Sequence, residues 1–263
     1  MPFVDAHAHI YPEKIATKAM QSVADFYTMR GAGGGSSQWL LERTADSPIT
    51  HFIVHSVAVK TKTVESINNF IAEECKQHPE FVGFGSMHQD YEDKEAEVNR
   101  CIELGLHGFK IHPDTQQVYV DDPRMMEFYE IIEGRLPIVI HTGDYRYDYS
   151  HPSRVKKVLR TFPNLVVDAA HFGGWSIYDI GYDWLGQENC FVDTSSSGHW
   201  IGQRHMKELI NMFGTERVMF GSDHPLFDPY EEAEFFCGIK FSEDEFENLT
   251  WHNAERFSGV KIG

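Results

Sequence analysis

Eight short apolar runs recur along the chain: Phe3–Ile10, His51–Ala58, Phe81–His88, Gly108–Pro113, Pro137–Gly143, Leu165–Gly173, Cys190–Ser195 and Arg217–Pro225. Each is rich in β-formers and nearly continuous in its apolar residues, the pattern of a strand buried on both faces. Between them, apolar residues recur at three- and four-residue spacing. Val64–His78 carries Ile67, Phe70 and Ile71; Tyr91–Leu104 carries Val98 and Ile102; Arg124–Glu133 carries Met125, Phe128, Tyr129 and Ile132. Ser153–Phe162 (Val155, Val158, Leu159) and Gln203–Phe213 (Met206, Leu209, Ile210) follow the same rule. These are helices with one apolar side. Alternation of strand and helix over 263 residues predicts an α/β fold of the (β/α)8 TIM-barrel type, with an open doubly wound sheet as its competitor. The expected organisation is a single barrel domain over residues 1–263.

Two stretches break the rhythm. Residues 11–50 hold helical Lys14–Met29 and Gln38–Arg43 around Gly31-Ala-Gly-Gly-Gly-Ser-Ser37. Such a glycine run holds no single conformation cheaply, so it reads either as a flexible surface connection or as a lid over the barrel mouth. The tail, Ser242–Phe257, reads as two short helices, the first opened by a Ser242-x-x-Glu245 capping box.

Composition then removes partner classes. Forty acidic against 23 basic residues give a net charge of −17, which disfavours nucleic acid and anionic membranes. No run approaches a membrane span, and no secretory leader opens the sequence. The four cysteines are scattered and form no paired motif, which fits a reduced, cytoplasmic protein. Exposed apolar positions on outer helices leave a homodimer open.

Fifteen histidines are the compositional oddity, and several fall at strand ends. His7 and His9 share one face of the first strand by alternation. The fifth run ends at His141, the sixth at His171 and the eighth at Asp223. In a barrel the carboxyl ends of the strands converge, and active sites sit there. Three imidazoles and a carboxylate suit one divalent metal: zinc, with manganese or iron(II) as alternatives. Such an ion activates water, and a nearby carboxylate stays ionised to accept its proton.

The motifs Asp5-Ala-His7-Ala-His9, Gly108-Phe-Lys-Ile-His-Pro113, His141-Thr-Gly143, Ala170-His171-Phe-Gly-Gly174 and Gly221-Ser-Asp223-His-Pro225 resemble the amidohydrolase superfamily. The likeness is to its amidohydrolase-related branch, which includes aminocarboxymuconate semialdehyde decarboxylase and resorcylate-type decarboxylases alongside hydrolases. Phe162-Pro-Asn-Leu165 and Trp251-His-Asn-Ala-Glu-Arg-Phe257 extend the likeness nearly end to end. The resemblance implies metal ligation by His7, His9, His141 and Asp223. It implies acid/base work for Asp223 and for His171, which either ligates or transfers protons beside the metal.

Lys110 and His112 share a face of the fourth strand and are candidates to meet a substrate carboxylate or carbonyl. In binuclear relatives a fourth-strand lysine is carboxylated and bridges two metals, a pattern that this sequence does not match cleanly. Arg146, in the Tyr-rich loop after His141, is a candidate clamp for an anionic group, as is Arg154. His55 and His88 line the pocket or brace it; Thr194–Ser197 offers hydroxyls or begins a turn. The expected activity is metal-dependent hydrolysis of an amide, lactone or ester bond in a small molecule. The alternative is non-oxidative decarboxylation of a small unsaturated or aromatic acid.

Overall fold

A computed structural model describes residues 1–263. Its strands are β1 (Val4–His9), β2 (His51–His55), β3 (Phe81–Ser86), β4 (Gly108–Ile111), β5 (Ile138–Ile140), β6 (Val167–Ala169), β7 (Val192–Asp193) and β8 (Val218–Met219). β1 to β6 pair in sequence order, all parallel, and β7 pairs with β8. Bridges between Asp168 and Phe191 and between Ala8 and His224 join the two sheets at both edges. The Ala169 amide donates to the Phe191 carbonyl at 2.9 Å, and the His9 amide to that of His224 at 2.7 Å. The strands thus close into the expected TIM barrel.

The expected helices form as α1 (Glu13–Tyr27), α2 (Ser37–Thr44), α3 (Val64–Gln77), α4 (Lys94–Glu103), α6 (Pro123–Ile132), α7 (Pro152–Thr161) and α9 (Gly198–Phe213). Three more escape the sequence pattern: α5 (Pro113–Gln116), α8 (Tyr178–Leu185) and α10 (Pro229–Cys237). In α8 the signal is weakened by Gly181, where a Cβ would lie 2.6 Å from the Phe172 carbonyl oxygen. The glycine lets α8 press onto the loop after β6. The tail forms α11 (Glu243–Glu247) and α12 (Asn253–Ser258), joined by a wider turn over Asn248–His252. The Ser242–Glu245 capping box is present in full.

Two apolar clusters divide the core. The larger packs the outer faces of the strands against the helices. The smaller fills the barrel with Val4, Ala6, Ile53, Val82, Phe84, Val139, Ala170 and Met219, plugged from below by Ala254 and Phe257 of α12. Along β1 the faces swap. Val4 and Ala6 belong to the inner cluster, whereas Ala8 and Ile10 belong to the outer one. The pairing register with β2 shifts between Asp5 and Ala8, as at a bulge. A bulge re-aims the side chains beyond it, so His7 and His9 turn into the barrel above that apolar floor.

No helix is long and apolar enough to cross a membrane.

Candidate metal centre

His7 is the pivot of the carboxyl-end cluster. Its Nδ1 donates to Asp193 Oδ2 at 2.7 Å, with both groups buried. That fixes the tautomer and leaves the Nε2 lone pair aimed at the barrel axis. Gly221 makes room for this ring, because a Cβ there would lie 2.9 Å from His7 Cβ. Asp5 ties β1 to the loop after β8 by accepting from the amides of His7 at 3.1 Å and Ser222 at 2.9 Å. Burial, opposed by these bonds, raises its pKa to about 6.

Asp223 stands opposite. Its Oδ1 is 3.5 Å from His7 Nε2 and 3.5 Å from His9 Nε2, while Ser196 Oγ donates to its other oxygen. Two donors that share an ion through bonds of about 2.1 Å lie about 3.4 Å apart in a tetrahedral site. Both distances match that edge, and His9 Nδ1 is buried without any protein partner. The donor set fits a divalent cation.

Lys110 lies fully buried with Nζ 3.0 Å from His7 Nε2. Burial, partly offset by Asp223, Asp193 and Asp168, brings its pKa down to about 8. The amine therefore sits on the Nε2 side of His7.

His141 stands further round the barrel. Its Nε2 reaches the Gly143 carbonyl at 3.1 Å, and its Nδ1 meets His171 Nε2 at 2.9 Å. Gly143 has φ of +81°, and a Cβ there would strike the Gly174 backbone at 2.6 Å, so the loops after β5 and β6 touch only through glycine. With Nε2–H donated to Gly143, His141 Nδ1 carries a lone pair. His171 Nδ1 faces the Ser195 carbonyl at 3.1 Å and Ser195 Oγ at 2.8 Å, and that hydroxyl donates its own proton to Asp193. His171 Nε2 is then also a lone pair. Two lone pairs at this separation need a proton or a cation between them.

Of the four expected ligands, His7, His9 and Asp223 are brought together, and His141 joins them through His171, whose ring lies 4.9 Å from that of His7. Three groups of donors have mutual separations within 4.8 Å: His7 with His9 and His55, His7 with His171 and Asp193, and His112 with Asp114 and His141. Burial, reinforced by neighbouring imidazoles and Lys110, holds His9, His112 and His141 well below the usual histidine range. Burial, partly offset by Asp223, brings His171 down to about 4. These rings are neutral lone-pair donors at neutral pH.

The mouth is covered by α1. Tyr27 Oη lies 2.6 Å from His112 Nε2 and 3.5 Å from His141 Nε2, and the two imidazoles stack at 3.8 Å. Trp175 packs on Tyr27 at 4.6 Å. The glycine run is pinned at both ends: the Ala32 amide donates to Pro225 at 3.1 Å, and the Gly35 carbonyl accepts from Tyr11 at 2.8 Å.

Arg146, expected as a clamp for an anionic group, pairs within the protein. Its guanidinium donates to both oxygens of Asp144, at 2.9 and 2.7 Å, and to the Phe26 carbonyl at 2.6 Å. Three of its five N–H donors are engaged in this way, and the bond to Phe26 ties it to α1. Arg154 likewise pairs with Asp121 and Asp148. His88 accepts from the Asp90 amide and meets Thr61, so it braces a loop. The hydroxyls of Ser195 and Ser196 orient His171 and Asp223. Sequence reasoning missed Asp193, Tyr27 and Asp114. Asp193 had one available signal, an acidic residue closing an apolar run.

The amidohydrolase family model matches residues 4–260. The chain belongs to the amidohydrolase family. It is 29% identical over 237 residues to 2-amino-3-carboxymuconate-6-semialdehyde decarboxylase of Dictyostelium discoideum, covering 74% of this chain and 66% of that protein, just under two thirds of its length. Among solved structures, a TIM-barrel protein of Bordetella bronchiseptica superposes with a TM-score of 0.77 at 19% identity, covering 98% of both chains. A dihydroxybenzoic acid decarboxylase of Polaromonas, with bound manganese and the inhibitor 2-nitroresorcinol, superposes with a TM-score of 0.76 at 17% identity. That match covers 100% of this chain and 98% of the other. The Dictyostelium relative is named a decarboxylase, which favours the expected alternative over hydrolysis.

Proposed function

We propose that this amidohydrolase-family enzyme is a metal-dependent, non-oxidative decarboxylase of a small unsaturated or aromatic carboxylic acid. What carries the reading is the relative that is named a decarboxylase at 29% identity. The donor set supports it. His7, His9, His141 and Asp223 are the residues that would hold a divalent ion, zinc or manganese. When bound, that ion supplies a Lewis-acidic point that offsets negative charge on the substrate oxygens.

The chain's own groups do the rest. Lys110 and His112 meet the acidic oxygens of the substrate from β4. His171 delivers a proton from Nε2 to the carbon that loses CO2. The electron pair of the breaking C–C bond stays on that carbon and takes the proton, and CO2 departs neutral. Ser195 holds His171 Nδ1 throughout, with Asp193 behind it. An incoming carboxylate raises the low pKa of His171, so the ring becomes protonated when substrate arrives. Tyr27 and Trp175 exclude bulk water and offer flat faces to a planar acid.

The test is turnover in D2O with the decarboxylated product analysed by mass spectrometry and NMR. The product is expected to carry one deuterium at the carbon that lost CO2. Product formed by adding the elements of water across an amide, lactone or ester would overturn the reading.

A further inference from the structure

His55 has no role in the mechanism above, yet its ring stands unpartnered inside the barrel. It ends β2, is fully buried, and neither ring nitrogen has a protein partner. A neutral imidazole carries one N–H donor and one lone pair. Leaving either unpaired in a dry interior costs about 1–3 kcal/mol. The fold retains this ring where an apolar side chain would avoid the cost.

Its neighbours say what it faces. The His55 ring centroid lies 4.4 Å from that of His9 and 4.9 Å from that of His7, and those two are 5.4 Å apart. Imidazoles bound to one ion through bonds of about 2.1 Å have centroids about 4.6 Å apart at right angles and about 5.3 Å apart at the tetrahedral angle. The three separations fall close to these two values. One nitrogen from each ring lies within 4.8 Å of the others. Edge-to-face packing alone accounts for the ring angles, 84° to His9 and 76° to His7, but not for unpaired nitrogens. His224 makes the contrast. It is equally buried and unpartnered, but it stacks on Trp39 at 5.1 Å and 14°, away from any other imidazole.

The geometry points to His55 as a metal ligand, so that His7, His9 and His55 present a three-histidine face from β1 and β2. The assignment rests on the metal-dependent reading above and deepens it. A further nitrogen raises the coordination number towards six, which suits an ion such as Mn(II) better than four-coordinate zinc. It also adds a donor to the ion from the β1–β2 side of the barrel.

The experiment uses the full chain with 15N-labelled histidine, stripped of metal and loaded with 113Cd alone. One-bond coupling between cadmium and nitrogen marks each imidazole on the ion without any turnover. His55 is expected to show that coupling. His55→Gln, which keeps an amide of similar size, is expected to lose that one coupled ring, retain those of His7 and His9, and weaken cadmium binding tenfold or more. Coupling at His7 and His9 with none at His55 overturns the assignment and leaves the metal-dependent reading intact. No coupled imidazole in the wild-type chain overturns both. Because the wild-type spectrum decides, a His55→Gln chain that fails to fold does not rescue the assignment.

Discussion

Asp193 receives the Nδ1–H of His7 at 2.7 Å, and that one hydrogen bond decides which nitrogen of the first-strand histidine can bind an ion. Burial works to raise the Asp193 carboxyl, but His7, His171 and Ser195 together hold it well below the usual carboxylate range. Replacing it with an amide keeps the shape and removes the charge. Asp193→Asn is expected to weaken metal binding about 10–100-fold, the range for a lost hydrogen bond behind a ligating histidine. Chelator competition measures it, with circular dichroism to confirm an unchanged fold. Unaltered affinity would remove Asp193 from the account.

His171→Asn is expected to keep near-full metal and lose about 10²–10⁴ in turnover, the usual range for a lost general acid. Elemental analysis beside steady-state rates separates the two effects. Loss of metal together with rate would instead make His171 a ligand that shares an ion with His141 across their 2.9 Å contact.

The barrel was legible because its strands are buried on both faces and its helices on one, so each wrote its period into the sequence. His7, His9 and Asp223 were legible because strand ends in a barrel converge. What stayed hidden depended on chain segments far apart in sequence. Tyr27 reaches His112 from 85 positions away in the sequence, and nothing near Tyr27 announces it. Arg146 carried a local signal for anion binding, yet its two partners are the neighbouring Asp144 and the distant Phe26 carbonyl. The bulge in β1 was equally invisible, since alternation alone puts His7 and His9 on one face whichever way that face points.

Arg146 is a strut for α1. Arg146→Ala is expected to speed hydrogen exchange across Tyr27–Gly35 and raise KM, because α1 loses its bond from the guanidinium to Phe26. Slow exchange in that segment of the variant would show that α1 is held by its apolar contacts to Trp175 and Leu226 alone.

Acid should destabilise the metal-free protein. His9, His55, His112 and His141 lie well below the usual imidazole range, His171 is near 4 and His224 near 3, burial being the first cause in each case. The folded pKa of each is depressed below the unfolded value of about 6.5. The unfolded chain therefore binds more protons, and stability rises with pH through the window from about 4 to 6.5. Each imidazole contributes up to about 1.4 kcal/mol per pH unit. Asp5, Asp114, Asp168 and Glu232, all raised by burial, act in the opposite sense over much of that window, but they are four groups against six. Urea unfolding of the chelated protein is expected to show a midpoint that falls steadily from pH 6.5 to pH 5. A flat midpoint would mean that these rings are charged or solvated in the folded state.

The central claim is loss of CO2, and direct detection of CO2 tests it most simply. The metal-loaded enzyme is offered a panel of small unsaturated and aromatic carboxylic acids, with lactones and amides in parallel, and released CO2 is measured by membrane-inlet mass spectrometry. CO2 is expected from at least one acid, abolished by chelation and restored by zinc or manganese. Metal-dependent opening of a lactone or amide, with no CO2 from any acid, would contradict it.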